Sequence, residues 1–347
     1  MKIALINDTH FGIRNDSSFF LEQSLKYFET QFFPEIEKRG ITSIIHLGDF
    51  FDRRKYINFN TLKQVRKRFL ERIEQQYQFH IIIGNHDTYF RNTNEVNALK
   101  ELFRGYSNIV LHDEPKQVKF EELSVSFIPW INDSNLTEYT KYISETNSSV
   151  LMGHLEIEGF EVISGVNSPV GIKRNIFDKF EMVLSGHFHI KQSKRNIHYL
   201  GTQYQLNFGD AGVIKGFHIL DTETRELEFI ENENRLFNVI RYDDTVITEE
   251  ILEDDFSKLQ GTFVKVLVQT KNKPLLFDKF MEKLYNADSQ ELTIIDDFGE
   301  KQENKSIDIT EDTLSIINRE IDLLENDLNK TKLKLTVKDL YMEALTL

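Results

Sequence analysis

The chain has 347 residues, 40% of them hydrophobic, with a formal charge of −14 and no cysteine. That length accommodates one large domain or two, and the lack of cysteine excludes a disulfide framework or a thiolate metal site and suits a reducing cytosolic compartment. No stretch approaches the roughly 20 apolar residues of a membrane span, and the first apolar run is cut off by Asn7 and Asp8, too early for a signal peptide, so a soluble protein is expected.

Taken in chain order, five apolar runs of strand length each stop at side chains able to bind metal. "KIALIND" ends at Asp8, with His10 two positions on. "ITSIIHLGD" ends at Asp49, "FHIIIGNHD" at Asn85, His86 and Asp87, "SSVLMGH" at His154, and "FEMVLSGHFH" at His187 and His189. Helical stretches over about 19–38 and 60–76 separate the first three, the alternation of a βαβ arrangement. Later segments, "LSVSFIPW", "RNIHYLG" and "GVIKGFHIL", are shorter and strand-rich. The prediction is an α/β (layered α+β) fold with a two-sheet sandwich core flanked by helices over residues 1–234.

Beyond it, "RLFNVIRYDD", "GTFVKVLVQT" and "SQELTIIDDF" read as strands and "PLLFDKFMEKLYNA" as a helix, giving a small α+β domain over 235–297. A polar linker covers 298–308. In 309–347, Leu314, Ile317, Ile321, Leu324 and Leu328 recur at steps of three and four, and Val337, Leu340, Tyr341, Ala344 and Leu345 form a second apolar stripe. Both read as amphipathic helices, and helices beyond a polar linker suit docking on a partner.

The net charge argues against nucleic-acid binding, which rests on Lys and Arg, but it is unevenly placed. Residues 53–72 carry eight basic side chains and one acid, whereas 221–258 carry thirteen acids and four basic residues. A basic surface in the front half is therefore compatible with the total.

In open α/β sheets ligands sit beyond the carboxyl ends of the strands. If the five runs end at one edge, Asp8, His10, Asp49, Asn85, His86, His154, His187 and His189 converge. Carboxylates, imidazoles and an amide without sulfur suit borderline to hard divalent ions. The donors are too many for one ion and suit two, about 3.5–4 Å apart and bridged by a carboxylate. His46, His80, His112, His198 and His218 lie outside these motifs and are expected to be structural.

The series "DTH", "GDFFD", "GNHD", "GH" and "GHFH" resembles the calcineurin-like metallophosphoesterases. With "IPW" at residues 128–130 and "YLGTQYQLNFGD" at 199–210, it is similar within them to the nuclease subunits of SbcCD-type double-strand-break repair complexes, including those of T4-like phages. The resemblance implies one ion on Asp8, His10, Asp49 and His189 and another on Asp49, Asn85, His154 and His187. Manganese is the implied metal, with magnesium the alternative. It implies that His86 faces the scissile phosphate, that Asp87 orients His86, and that a Gly-Thr turn and a strand follow the fifth motif. Asp52, where some relatives carry a phosphate-contacting histidine, and Arg53 or Arg54 become candidate phosphate or DNA contacts. The activity implied is DNA endo- and exonuclease, with phosphomonoesterase action as the alternative. The implied partners are DNA, an SMC-like coiled-coil ATPase held by the C-terminal helices, and a second copy paired through residues 60–76 and 94–103. The implied location is the cytoplasm of a bacterium or a phage-infected host.

Overall fold

A computed structural model describes residues 1–296 and the isolated positions 321, 330, 333, 334, 336 and 337. The linker and C-terminal helices expected over 298–347 otherwise lie outside the described residues. Up to residue 296, two compact units are resolved, one of residues 1–203 and 214–232, the other of 204–213 and 233–296.

The first unit contains β1 (Lys2–Ile6), β2 (Ser43–His46), β3 (Gln78–Ile82), β4 (Ile109–His112), β5 (Lys116–Phe120), β6 (Leu123–Ile128) and β7 (Val150–His154). A small hairpin follows, β8 (Glu161–Ile163) and β9 (Val166–Asn167). Then come β10 (Met182–Gly186), β11 (Gln192–Lys194), β12 (Ile197–Tyr199), β13 (Gly216–Asp221) and β14 (Leu227–Glu231). They form two six-stranded sheets, ordered β14-β13-β1-β2-β3-β4 and β11-β12-β10-β7-β6-β5. Each holds four parallel strands (β1 to β4; β6, β7, β10 and β12) with antiparallel strands at its margins.

Strands buried on both faces need continuous apolar runs, and β1, β2, β3, β7 and β10 have them. Ile3, Leu5, Ile45, Leu47 and Ile82 of the first sheet pack against Leu123, Val125, Phe127, Val150, Met152 and Leu184 of the second. The outer face of the second sheet is covered by a helix at Leu136–Glu145, through Tyr139 and Ile143. Two helical segments, residues 18–38 and 59–76, bring Phe28, Phe32, Phe33 and Phe69 into a mutually edge-packed aromatic layer. Each continues through a π turn, at Phe28–Phe32 and at Arg66–Leu70. The helix expected over 94–103 is shorter, Ala98–Leu102, capped by the Asn97 side chain, which accepts from the Lys100 N–H at 2.8 Å.

His80 and His112 bond each other at 2.9 Å between the sheets, and His112 stacks on Phe127 with ring centroids 4.2 Å apart. Burial lowers their pKa values to about 4 and about 3, so both are neutral. His46 bonds Thr9 Oγ1 at 3.0 Å. None of the five histidines outside the motifs belongs to a metal-capable cluster among the described residues.

The second unit carries a parallel sheet of Phe237–Asp243, Phe263–Thr270 and Glu291–Asp296, in that order. A helix at Pro274–Asn286 buries Phe277, Phe280, Met281 and Leu284 against Tyr242, Val264, Val266 and Val268. Residues 204–213 belong to this unit as a loop with one 3-10 turn, Phe208–Asp210, and not as the strand expected after the fifth motif. No described helix is long and apolar enough to cross a membrane.

Candidate metal centre

The carboxyl ends of β1, β2, β3, β7 and β10 deliver their terminal side chains to one place. Three clusters could each hold a cation: Asp8, His10 and His189; His10, Asp49 and His86; and Asp49, His154 and His187. Asp8, His10, Asp49, Asn85 and His154 are buried, while His86, His187 and His189 are half-buried and define the open side. All the residues expected to converge do so.

The backbone bends sharply to achieve this. Asp8, His10, Asp49 and His187 have φ of 48°, 43°, 57° and 83°, in the left-handed region that non-glycine residues rarely adopt. Gly84 is required by close approach, because a Cβ there would collide with the backbone and carboxylate of Asp49. The sequence thus places a glycine just past the end of β3, where the β2 loop crosses it.

Each donor is oriented. The Asp8 carboxylate accepts from the Asn7 side chain at 2.5 Å and from the His187 N–H at 3.0 Å, tying the two sheets together. Asp49 Oδ1 accepts the His86 N–H at 2.7 Å, leaving Oδ2 3.4 Å from His154 Nε2 and 3.8 Å from His10 Nε2. His154 donates Nδ1–H to the Leu47 carbonyl at 2.7 Å, which turns Nε2 inward. Asn85 Oδ1 lies 2.9 Å from both His154 Nε2 and His187 Nδ1. His10 Nε2 and His189 Nε2 face each other at 3.1 Å, each 3.9 Å from Asp8 Oδ1. Imidazoles whose outer nitrogen is held by a carbonyl or carboxylate, and whose inner nitrogen meets carboxylate oxygens, make an arrangement suited to divalent metal.

The electrostatics agree. Burial would depress His10 and His154, but the surrounding carboxylates outweigh it and raise both to about 9. Burial would raise Asp49, but His154 and the other imidazoles hold it well below the usual carboxylate range. Burial raises Asp8 and, together with His10, pushes His189 well down. A divalent cation among these atoms would displace the imidazole protons and be held by the same carboxylates.

One expected role is corrected. Asp87 does not orient His86. One of its carboxylate oxygens accepts the N–H groups of Asp49 and Gly84, both at 2.9 Å, and the other those of Phe50 at 3.0 Å and Phe51 at 3.4 Å. The turn after Gly84 sends this side chain inward to the β2 loop. His86 instead bonds through Nδ1 to the Asp52 carbonyl at 2.5 Å. A carbonyl only accepts, so Nδ1 carries the proton and Nε2 faces the site. The Asp52 carboxylate lies 3.3 Å from the outer nitrogen of His10. Arg53 turns to Asn15, Tyr56 and Asp16. Of these three candidates, Arg54 is the cation whose charge reaches His86, adding to the effect of burial in lowering its pKa. The sequence reading does not include the anchoring roles of Asn7 and Asp52; the only sequence signal is that each is a polar residue beside a metal motif.

Burial, and next the Asp49 charge, raise Asp87 to about 7. Its four backbone bonds predict a large structural effect. Asp87→Ala is expected to lose at least about 3 kcal/mol in chemical denaturation, because each orphaned buried N–H costs about 1–3 kcal/mol. Asp87→Asn does no better, since its NH2 group would face two N–H donors. Rescue by Asn would contradict this.

A donor set of this kind at this sheet edge is that of a metallophosphoesterase. Residues 1–191 match the calcineurin-like phosphoesterase family, and the chain belongs to that family. Over 317 residues it is 30% identical to Exonuclease subunit 1 of Enterobacteria phage T4, covering 89% of each chain. Over 260 residues it is 26% identical to a component of the SbcCD nuclease of Staphylococcus epidermidis, covering 65% of this chain and 67% of that one.

Proposed function

We propose that this chain is a manganese-dependent DNA nuclease with endo- and exonuclease action, and that it works as the nuclease subunit of a complex with an SMC-like ATPase in end processing, recombination and repair. The observation that carries the reading is the sharing of Asp49 between two cation-capable clusters, one with His10 and His86 and the other with His154 and His187. The relatives, an exonuclease subunit and a component of a nuclease by name, support the substrate and the partner.

One ion would be held by Asp8, His10, Asp49 and His189, the other by Asp49, Asn85, His154 and His187. Bound there, the pair would supply the Lewis acidity and water activation of two-metal phosphodiester hydrolysis. The chain's own residues do the rest. Asp52 and Leu47 turn the inner nitrogens of His10 and His154 toward the site. His86 keeps its Nδ1 proton on Asp52 and presents Nε2 to the leaving oxygen. Burial keeps His86 neutral until an anionic substrate favours its protonated form. Arg54 supplies positive charge near the phosphate.

In the same reading residues 235–297 cap the DNA, 309–347 grip the ATPase, and the chain pairs with a second copy. The monoesterase alternative drew on Arg53 or Arg54 after "GDFFD"; Arg53 is engaged by Asp16, Asn15 and Tyr56, and Arg54 serves either reading. With Mn²⁺, the chain is expected to hydrolyse bis-p-nitrophenyl phosphate faster than p-nitrophenyl phosphate. The reverse preference would sink the nuclease reading.

A further inference from the structure

Trp130 stands at the rim of the site. Its ring is 5.1 Å from that of His187, tilted by 45°, and 6.0 Å from that of His154. His187 is one of the half-buried members that define the open side, and Trp130 is itself half-buried. The indole thus lies against the metal-capable histidines while part of it stays exposed. Its backbone is pinned on both sides: the N–H donates to the Ile83 carbonyl at 2.8 Å, and the carbonyl accepts from the Asn94 and Asn135 side chains at 2.8 and 3.1 Å. Asn132 in turn holds Asn94 at 2.8 Å. The bond to Ile83 ties the segment to the end of the strand that carries Asn85 and His86. A rigid, partly exposed indole placed this way serves poorly as core packing and well as a stacking surface. Every nucleobase has a π-face, so such a surface takes unpaired bases with little regard to sequence.

Resting on the nuclease reading, we infer that Trp130 is the platform on which the base adjoining the scissile phosphate stacks. The site thereby selects unpaired or frayed strands, because a base held in a duplex stack cannot reach the indole without being unpaired. Trp130 is here a specificity-determining residue; it performs no proton transfer.

The test uses the full chain with Mn²⁺ and a single-stranded oligonucleotide with one defined cleavage position. Two companions carry a single abasic residue, on either side of that position. In the wild type, one abasic substrate is expected to raise KM about tenfold, the loss of one base–aromatic stack, with kcat little changed. In Trp130→Ala, intact and abasic substrates should share one KM, and Trp130→Phe should keep part of the difference. A wild type indifferent to both abasic positions overturns the inference. So does a Trp130→Ala variant that keeps the wild-type ratio, which would leave Trp130 as support for His187 alone. Should Trp130→Ala be inactive on every substrate, Trp130→Phe decides by the same ratio. Wild-type failure to cleave any oligonucleotide would count against the nuclease reading instead. Stacking would then be read from intrinsic fluorescence, since Trp130 is the single tryptophan. Without divalent ions the intact oligonucleotide should quench it and one abasic companion should not; equal quenching or none overturns the inference.

Discussion

Replacing His86 by serine is expected to slow phosphodiester cleavage by about 10²–10⁴-fold, the usual worth of a positioned general acid or base, while two manganese ions remain bound. The reason lies in how the imidazole is held. Its Nδ1 is committed to the Asp52 carbonyl, and its backbone N–H, which survives the substitution, anchors Asp49 Oδ1. In the proposed mechanism serine therefore removes the proton carrier and leaves the Asp49 carboxylate, the proposed bridge, in place. Steady-state kcat on bis-p-nitrophenyl phosphate, measured alongside manganese stoichiometry by equilibrium dialysis, separates the two effects. An ion lost together with activity would make His86 a ligand, as its membership of a cluster with His10 and Asp49 would allow.

Asp49→Ala should be more severe. Oδ2 lies between His10 and His154, and Asp49 belongs to two of the three metal-capable clusters. In the proposed two-ion site its removal would take one ligand from each ion, and it takes the acceptor from the His86 N–H. Losing several kcal/mol of charge stabilisation corresponds to at least about 10³-fold in rate. Manganese binding should weaken at both positions. His189→Ala, which touches only the Asp8 and His10 cluster, should weaken one. An Asp49→Ala chain that still holds one ion with undiminished affinity would refute the bridge.

Much of this centre was legible in the sequence because a β-strand presents its terminal residues at a definite edge. Five apolar runs ending in Asp8, Asp49, Asn85, His154 and His187 could be superposed without knowing the register. The division of labour among neighbours was not legible. Asp87 follows His86 directly, and adjacency suggested a pair; at a turn, consecutive side chains diverge, and Asp87 reaches instead to N–H groups 36–38 positions away. The Asp52 carboxylate likewise engages a residue far off in sequence, His10 in the loop after β1. The basic run at 53–72 overstated the free positive charge. Arg68 pairs with Glu22 and Glu29, and Arg72 with Glu37, all from the preceding helical segment. Lys63, Arg66 and Lys67, around the exposed Phe59, remain as the basic face. The π turns within both helical segments leave no mark in a 3.6-residue periodicity.

The most direct test of the two-ion nuclease is cleavage of end-labelled single-stranded and linear duplex DNA by the purified full chain with Mn²⁺, with Mg²⁺ and with chelator. Cleavage that requires the divalent ion, is strongest with manganese and disappears with chelator is the predicted result. Cleavage that persists in chelator would contradict the account. So would intact DNA, with the ATPase partner absent or present, from a chain shown to carry two manganese ions.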